Sequence, residues 1–316
     1  MRKIAATATM LALAACVTTT PDETPAAMAD ATPVAASPAP PPPPPPAPNS
    51  QAFGRVIDLG SGVSMLMGQG GNLGLSVGED GVFLIDDQYA TNAIPNLAKI
   101  EELAKGKPKF LVNTHWHFDH AGGNDVFGKA GATIFASENV RKRLTGETPS
   151  TSRGAPAVPA PKDALPVVTF TSGIDFHLNG QTIRAINAPA PAHTDGDTMI
   201  YFVQADVLHL GDTYMKNLYP FVDTGSGGTQ LGFIKALTKA LEVTGPNTRY
   251  IPGHGELANR SDIEAALAMH IGARAAVEAL VRQGKTLEET VAAKPLAQWT
   301  PRFGVGDFIT KTRIRR

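Results

Sequence analysis

The stretch His115-Trp116-His117-Phe118-Asp119-His120 decides how the rest of this chain is read. Four metal-capable side chains, His115, His117, Asp119 and His120, fall within six positions. Imidazole nitrogen and carboxylate oxygen are ligands that zinc accepts. Ligands alternating at 115, 117 and 119 cannot share one helix face, where neighbours come at i+3 and i+4. They suit a loop leaving a strand. The run before them, Lys109-Phe110-Leu111-Val112-Asn113, is mostly apolar and follows Pro108, so it reads as a short buried strand. Ala121-Gly122-Gly123-Asn124 then reads as a turn leading into a helix. The cluster is therefore expected at the carboxyl end of a strand, where open α/β architectures place their chemistry.

Three further residues have the same setting. His193 lies in Pro191-Ala192-His193-Thr194-Asp195-Gly196-Asp197, a turn before an apolar run. Asp212 lies in His209-Leu210-Gly211-Asp212-Thr213, at the end of another. His254 lies in Ile251-Pro252-Gly253-His254-Gly255, directly after a third. Each sits at a Gly- or Pro-marked strand end, and glycine lets backbone approach a compact site without side-chain collision. Of the eight histidines, three more remain. His177 and His270 fall in an amphipathic strand and a helix and read as structural or solvated, and His209 reads as a buried strand histidine.

Around these residues the pattern is mixed. Short β-like runs at 55–59, 63–67, 73–77 and 82–86, separated by glycine-rich turns, form an expected meander. Residues 92–105 carry helical spacing. A second strand series is expected at 166–170, 174–178, 182–187, 199–203 and 207–210. Helices are expected at 232–243, at 261–280 with Ser261 as N-cap, and at 286–292 with Thr286 and Glu289 at capping-box spacing. Prolines at 149, 156, 159 and 161 make 145–163 an inserted loop.

The first fifty residues have a different composition. Arg2 and Lys3 precede an apolar run that ends at Cys16, too short to span a bilayer and shaped like a secretory signal. Leu13-Ala14-Ala15-Cys16 resembles the bacterial lipoprotein processing box, which implies cleavage before Cys16 and a lipid on it. Cys16 is the only cysteine, so no intramolecular disulfide can form. Residues 17–50 are rich in Thr, Ala and Pro, with Pro40 to Pro46 consecutive, and read as a stiff polyproline II tether. The expected organisation is a signal at 1–16, a tether at 17–50 and one catalytic unit at 51–316. The expected location is the periplasm or cell envelope. With 28 basic against 29 acidic residues and net charge −1, the chain has no long-range attraction for nucleic acid.

The full set of motifs resembles the metallo-β-lactamase superfamily over essentially the whole globular region. The resemblance implies an α/β fold, an αββα sandwich of two mixed β-sheets flanked by helices. It also implies a dinuclear site: His115, His117 and His193 on one zinc, Asp119, His120 and His254 on the other, and Asp212 bridging. Asp119 would also be catalytic, orienting the attacking hydroxide. Zinc lowers the pKa of bound water to roughly 7, so a nucleophile exists without serine or cysteine. Iron and manganese also bind such sites. Asp86 matches a family position that hydrogen-bonds near the ligands, a partner that metal-bound histidines need. Asn124 and Lys216 are expected to face substrate.

The resemblance implies a metallo-hydrolase acting on a small molecule with a hydrolysable carbonyl. His-x-His-x-Asp-His-Ala-Gly-Gly at 115–123 and an exported location put β-lactams first. Asp212 departs from true β-lactamases, where that position is not an aspartate ligand, and fits a lactone, ester or thioester hydrolase better. A zinc-binding surface lipoprotein without turnover is the third reading.

Overall fold

The computed structural model describes residues 52–150 and 158–304. The expected signal and tether, with Cys16, lie outside the described residues, as do positions 151–157 of the expected inserted loop.

A first sheet of seven strands runs in sequence order from β1 to β7. It opens with the expected meander: β1 (Arg55–Asp58), β2 (Val63–Met67), β3 (Leu73–Gly78) and β4 (Gly81–Ile85), all antiparallel. Helix α1 (Ala90–Ala104) carries the chain over to β5 (Pro108–Val112), which pairs parallel to β4. The helical turn α2 (Phe118–Ala121) and helix α3 (Asn124–Lys129) lead to β6 (Thr133–Ser137), and α4 (Glu138–Leu144) follows. β7 (Val168–Phe170) closes this sheet, parallel to β6.

The second sheet has six strands in the order β13-β12-β11-β10-β9-β8. They are β8 (Gly173–Leu178), β9 (Gln181–Asn187), β10 (Thr198–Phe202), β11 (Val207–His209), β12 (Arg249–Ile251) and β13 (Ala258–Asn259). Helix α5 (Gln230–Val243) connects β11 to β12, which pair parallel. Helices α6 (Arg260–Arg282), α7 (Leu287–Ala292) and α8 (Thr300–Phe303) follow β13. Among the described residues, no helix is long and apolar enough to cross a membrane.

Four packed layers, helix, sheet, sheet and helix, explain why the strands read as continuous apolar runs. Successive strand residues point to opposite faces, and here both faces are covered. In β4, Phe83 and Ile85 join the core between the sheets, whereas Val82 and Leu84 pack with Ala93, Ile100 and Phe127 of α1 and α3. In β10, Ile200 and Phe202 face the first sheet, and Met199 meets Leu237, Ile263 and Met269 of α5 and α6. The αββα sandwich expected from the motifs is the observed fold.

Several local expectations are corrected. The segment at 166–170 was placed in the second series, but β7 belongs to the first sheet, because it pairs with β6. β6 and α4 are not among the expected elements. Helix α6 is capped by Asn259 rather than Ser261: Asn259 accepts from the Asp262 amide, Asp262 returns a bond to the Asn259 amide, and Ser261 only donates to the Asn259 side chain. Helix α1 starts two residues before the expected 92 and continues past Pro95. The Thr286–Glu289 capping box forms as expected.

Candidate metal centre

The ligand candidates collect at the carboxyl ends of strands in both sheets. His115 and His117 leave the end of β5, and Asp119 and His120 ride on α2 just beyond. His193 comes from the turn between β9 and β10, Asp212 from the turn after β11, and His254 from the turn after β12. Chain segments up to 139 residues apart in sequence thus meet at one edge, and the ligand atoms form three groups. These are His115, His117 and His193; His115, His120 and Asp212; and Asp119, His120 and His254. Within each group every ligand atom lies within 4.8 Å of the others.

Asp212 stands between the outer groups. Its Oδ2 is 3.4 Å from His193 Nε2, while Oδ1 is 3.1 Å from His120 Nε2 and 3.4 Å from His254 Nε2. Asp119 Oδ2 lies 3.3 Å from His254 Nε2.

The outward nitrogen of four imidazoles is already bonded. Thr114 gives its hydroxyl proton to Asp86 at 2.7 Å, so it accepts from His115 Nδ1 at 3.1 Å. His120 Nδ1 donates to Asp86 at 2.7 Å, and His193 Nδ1 to the Phe221 carbonyl at 2.7 Å. His117 Nε2 donates to Asp223 at 2.8 Å. For His115, His117 and His193 the tautomers follow, and their inward nitrogens carry bare lone pairs; burial opposes charge on His120, yet Asp212, Asp86 and Asp119 push it well above its usual range. His117 Nδ1 and His193 Nε2 face each other at 2.7 Å, and His115 Nε2 and Asp212 Oδ1 are buried without a hydrogen-bond partner. Lone pairs brought this close repel unless a cation lies among them. The donor set therefore fits metal ions held by imidazole and carboxylate.

The electrostatics agree. Burial, reinforced by the neighbouring His120 and His193, holds His115 far below its usual range, and burial takes His193 down to about 4. Both are neutral, the form that ligates. Burial pushes Asp119 up, but His120 and His254 outweigh it and hold the carboxyl at about 2. Burial opposes charge on His254, yet Asp212 and Asp119 raise it to about 9. The paired carboxylates draw positive charge to this place.

Residues beyond the predicted set hold the ligands in position. Asn72, 3% exposed, donates to the Pro252 and Gly255 carbonyls at 2.9 Å each and thereby brackets His254. Asp197 receives the His193 and Thr194 amides at 2.8 and 3.0 Å and shapes the His193 turn. Asp223 stands behind His117. Nothing in local spacing marks these three; each acts on a segment distant in sequence or inside an ordinary turn. Two glycines let backbone touch the site. A Cβ on Gly71 would sit 2.1 Å from the His120 ring, and one on Gly253 would sit 1.9 Å from Asp212 Oδ1.

Asp86 joins the centre as expected, with its backbone at φ 60 and its carboxylate shared by Thr114 and His120. Two expectations are corrected. Asn124 is 1% exposed and exchanges bonds of 3.0 Å with the Asn113 amide while donating to the Ala164 carbonyl, so it braces α3 instead of facing substrate. Lys216 turns its ammonium to the Leu257 carbonyl at 2.7 Å and to Asp262 at 3.1 Å. His209 is buried, bonded to the Asn72 carbonyl and the Gly211 amide. His177 is exposed, and His270 stacks on Phe233.

Comparison with known proteins agrees with this geometry. The sequence pattern of the metallo-beta-lactamase superfamily matches residues 66–259, more than half of the chain. A metallo-beta-lactamase from Pontibacter korlensis superposes with TM-score 0.57 at 22% identity, over 68% of this chain and 98% of that one. One from Hirschia baltica gives 0.53 at 21% identity, over 70% and 98%. The stereoselective inverting sec-alkylsulfatase Pisa1 from Pseudomonas sp. gives 0.57 at 19% identity, over 76% of this chain but 45% of that enzyme. At these identities the likeness is one of fold, and the fold serves more than one chemistry. With the matched sequence pattern, the sandwich and the clustered ligands together, the chain belongs to the metallo-β-lactamase superfamily.

Proposed function

We propose that this protein is a metallo-hydrolase holding two zinc ions, and that it opens the carbonyl C–O bond of a lactone or ester or the C–S bond of a thioester. His115, His117 and His193 would hold one ion, Asp119, His120 and His254 the other, and Asp212 would bridge them. Such ions supply an activated water at neutral pH and polarise the substrate carbonyl. Asp119, ionised and 8% exposed, accepts hydrogen bonds from water and orients it. Phe221, whose ring lies 5.7 Å from that of His193, and Phe118, 48% exposed between two ligands, offer apolar surface to a small substrate.

The observation that carries this reading is Asp212, which stands between the two outer ligand groups. A carboxylate there fits the ester-cleaving members better than the β-lactamases. β-Lactam hydrolysis is the second reading. The His-x-His-x-Asp-His-Ala-Gly-Gly run and the metallo-β-lactamase neighbours favour it. Iron or manganese in place of zinc would change neither order. The chain's balanced charge supplies no long-range attraction for nucleic acid.

The test is turnover by the zinc-loaded full chain on a lactone, an aryl ester, a thioester and a chromogenic cephalosporin, each repeated with chelator. Chelator-sensitive cleavage of the oxygen or sulfur esters alone is the expected result. Cleavage of the cephalosporin at a comparable rate would move β-lactams to first place. Bound metal with no turnover on any of the four would favour a non-catalytic zinc protein.

We also propose that a lipid on Cys16 anchors the protein to the bacterial envelope, with 17–50 as spacer. Cys16→Ser should move the protein from the membrane fraction to the soluble fraction; persistent membrane partitioning would remove the anchor.

A further inference from the structure

Two of the three imidazoles in the first ligand group are held by one turn of chain. The Phe221 carbonyl accepts from His193 Nδ1, and two residues later the Asp223 carboxylate accepts from His117 Nε2 at 2.8 Å. The side chains of His117 and Asp223 are 3% and 2% exposed, so this bond is made out of water. The backbone ties the turn to the ligand it serves: the Asp223 amide donates to the His193 carbonyl at 3.1 Å, and the Asp223 carbonyl accepts from Ser226 and Gly228 at 3.0 and 2.8 Å.

The carboxylate is itself held. Ser226, fully buried, donates its hydroxyl to the same Asp223 oxygen at 2.6 Å, and Ser150 lies 3.1 Å from the Ser226 oxygen. The Ser226 carbonyl accepts the Asp195 amide at 2.9 Å. Arg143, 5% exposed, grips the Asp195 carboxylate with two nitrogens and the Thr148 and Pro149 carbonyls with a third. The carboxylate behind His117 is therefore fixed in direction from several sides.

An imidazole that donates one N–H to a carboxylate has its tautomer and ring orientation set, and its other nitrogen becomes a stronger base. Across the site, Asp86 does this for His120. In the other two bonded imidazoles the partner is uncharged: a hydroxyl for His115 and a carbonyl for His193. Each outer ligand group thus contains one carboxylate-backed histidine, and the two carboxylates come from different sheets' connections.

We propose that Asp223 is the positioning residue of the first ligand group, setting how tightly the ion on His115, His117 and His193 is held, with Ser226 keeping Asp223 in place. This rests on the reading that the clustered ligands bind metal. Asp86 holds the matching role for the second group directly, and it reaches the first only through the neutral Thr114 hydroxyl behind His115.

The experiment loads the full-length chain with cobalt(II) and follows both its visible absorption and its removal by a competing chelator. In Asp223→Asn, one metal equivalent per chain is expected to weaken by roughly 10–100-fold with an altered cobalt spectrum, the other equivalent keeping its affinity. Asp86→Asn should weaken the other equivalent instead. A folded Asp223→Asn protein that binds every equivalent like the parent, even with a lower thermal midpoint, overturns the proposal, because a merely structural residue would behave so. If that variant does not fold, Ser226→Ala decides: several-fold weakening of the same equivalent sustains the proposal, and parental affinity overturns it. Failure of the parent chain to bind metal would sink the site reading and this proposal together; parental binding that Asp223→Asn leaves unchanged would sink this proposal alone.

Discussion

Asp212→Asn is expected to cut hydrolysis at least about a thousandfold while leaving the chain folded. Asparagine has the volume and shape of aspartate, so the packing of this residue, 4% exposed, is kept. What disappears is a negative charge within 3.4 Å of His120, His193 and His254. Burial would neutralise such a carboxylate, yet His254, His120 and His193 hold its pKa far below the usual range. Without it, two cations would face each other with no anion between them, and the second would be retained poorly. A thousandfold loss corresponds to about 4 kcal/mol of transition-state stabilisation, within the several kcal/mol that metal ions supply. Bound metal, thermal unfolding and turnover measured on one preparation check the result. A variant that keeps both metal and rate removes Asp212 from the site.

Gly253→Ala should lower turnover by about a hundredfold or more although Gly253 itself supplies no ligand. The added Cβ would lie 1.9 Å from Asp212 Oδ1 and 2.7 Å from the Gly211 carbonyl carbon. Contacts this short cannot persist, and two of the atoms involved are backbone, which gives less readily than a side-chain tip. Overpacking of this kind typically costs about 1–3 kcal/mol. The shift cannot stay local, because the Gly253 amide bonds both the Gly211 and Tyr214 carbonyls at 2.8 and 2.9 Å. It would move His254 and Asp212 relative to each other, and misplacement of about 1 Å can cost a hundredfold in rate. The signature is a lowered thermal midpoint together with lost activity. Full activity in a stable Gly253→Ala protein would show that this close approach does not govern the site.

Both substitutions address features that differ in how visible they are along the chain. Asp212 was marked by its place after an apolar run, and the resemblance assigned its role. Gly253 was marked only as a turn glycine; that its missing Cβ makes room for the Asp212 carboxylate depends on β11 and β12 lying side by side. The same division holds for the histidine partners. Asp86 ends a legible strand and was picked out. Asp223 lies 106 residues from His117 in a turn with no signal of its own. Asn124 and Lys216 were read outward from neighbouring motifs, and the fold turns both toward protein partners.

Local physics along the chain marked the candidate ligands, the meander and most later strands: period-two burial, glycine turns, and metal-capable side chains crowded into six positions. The family resemblance supplied the sandwich class and the grouping of the ligands. Tertiary structure alone decided which sheet receives β7, which loop brackets His254, and which carboxylates stand behind the imidazoles. Those outcomes depend on pairings between segments far apart in the chain, and backbone atoms, which every residue shares, make most of them. Side-chain pattern records what a residue buries; it carries no mark of the distant carbonyl or carboxylate that the folded chain brings to meet it.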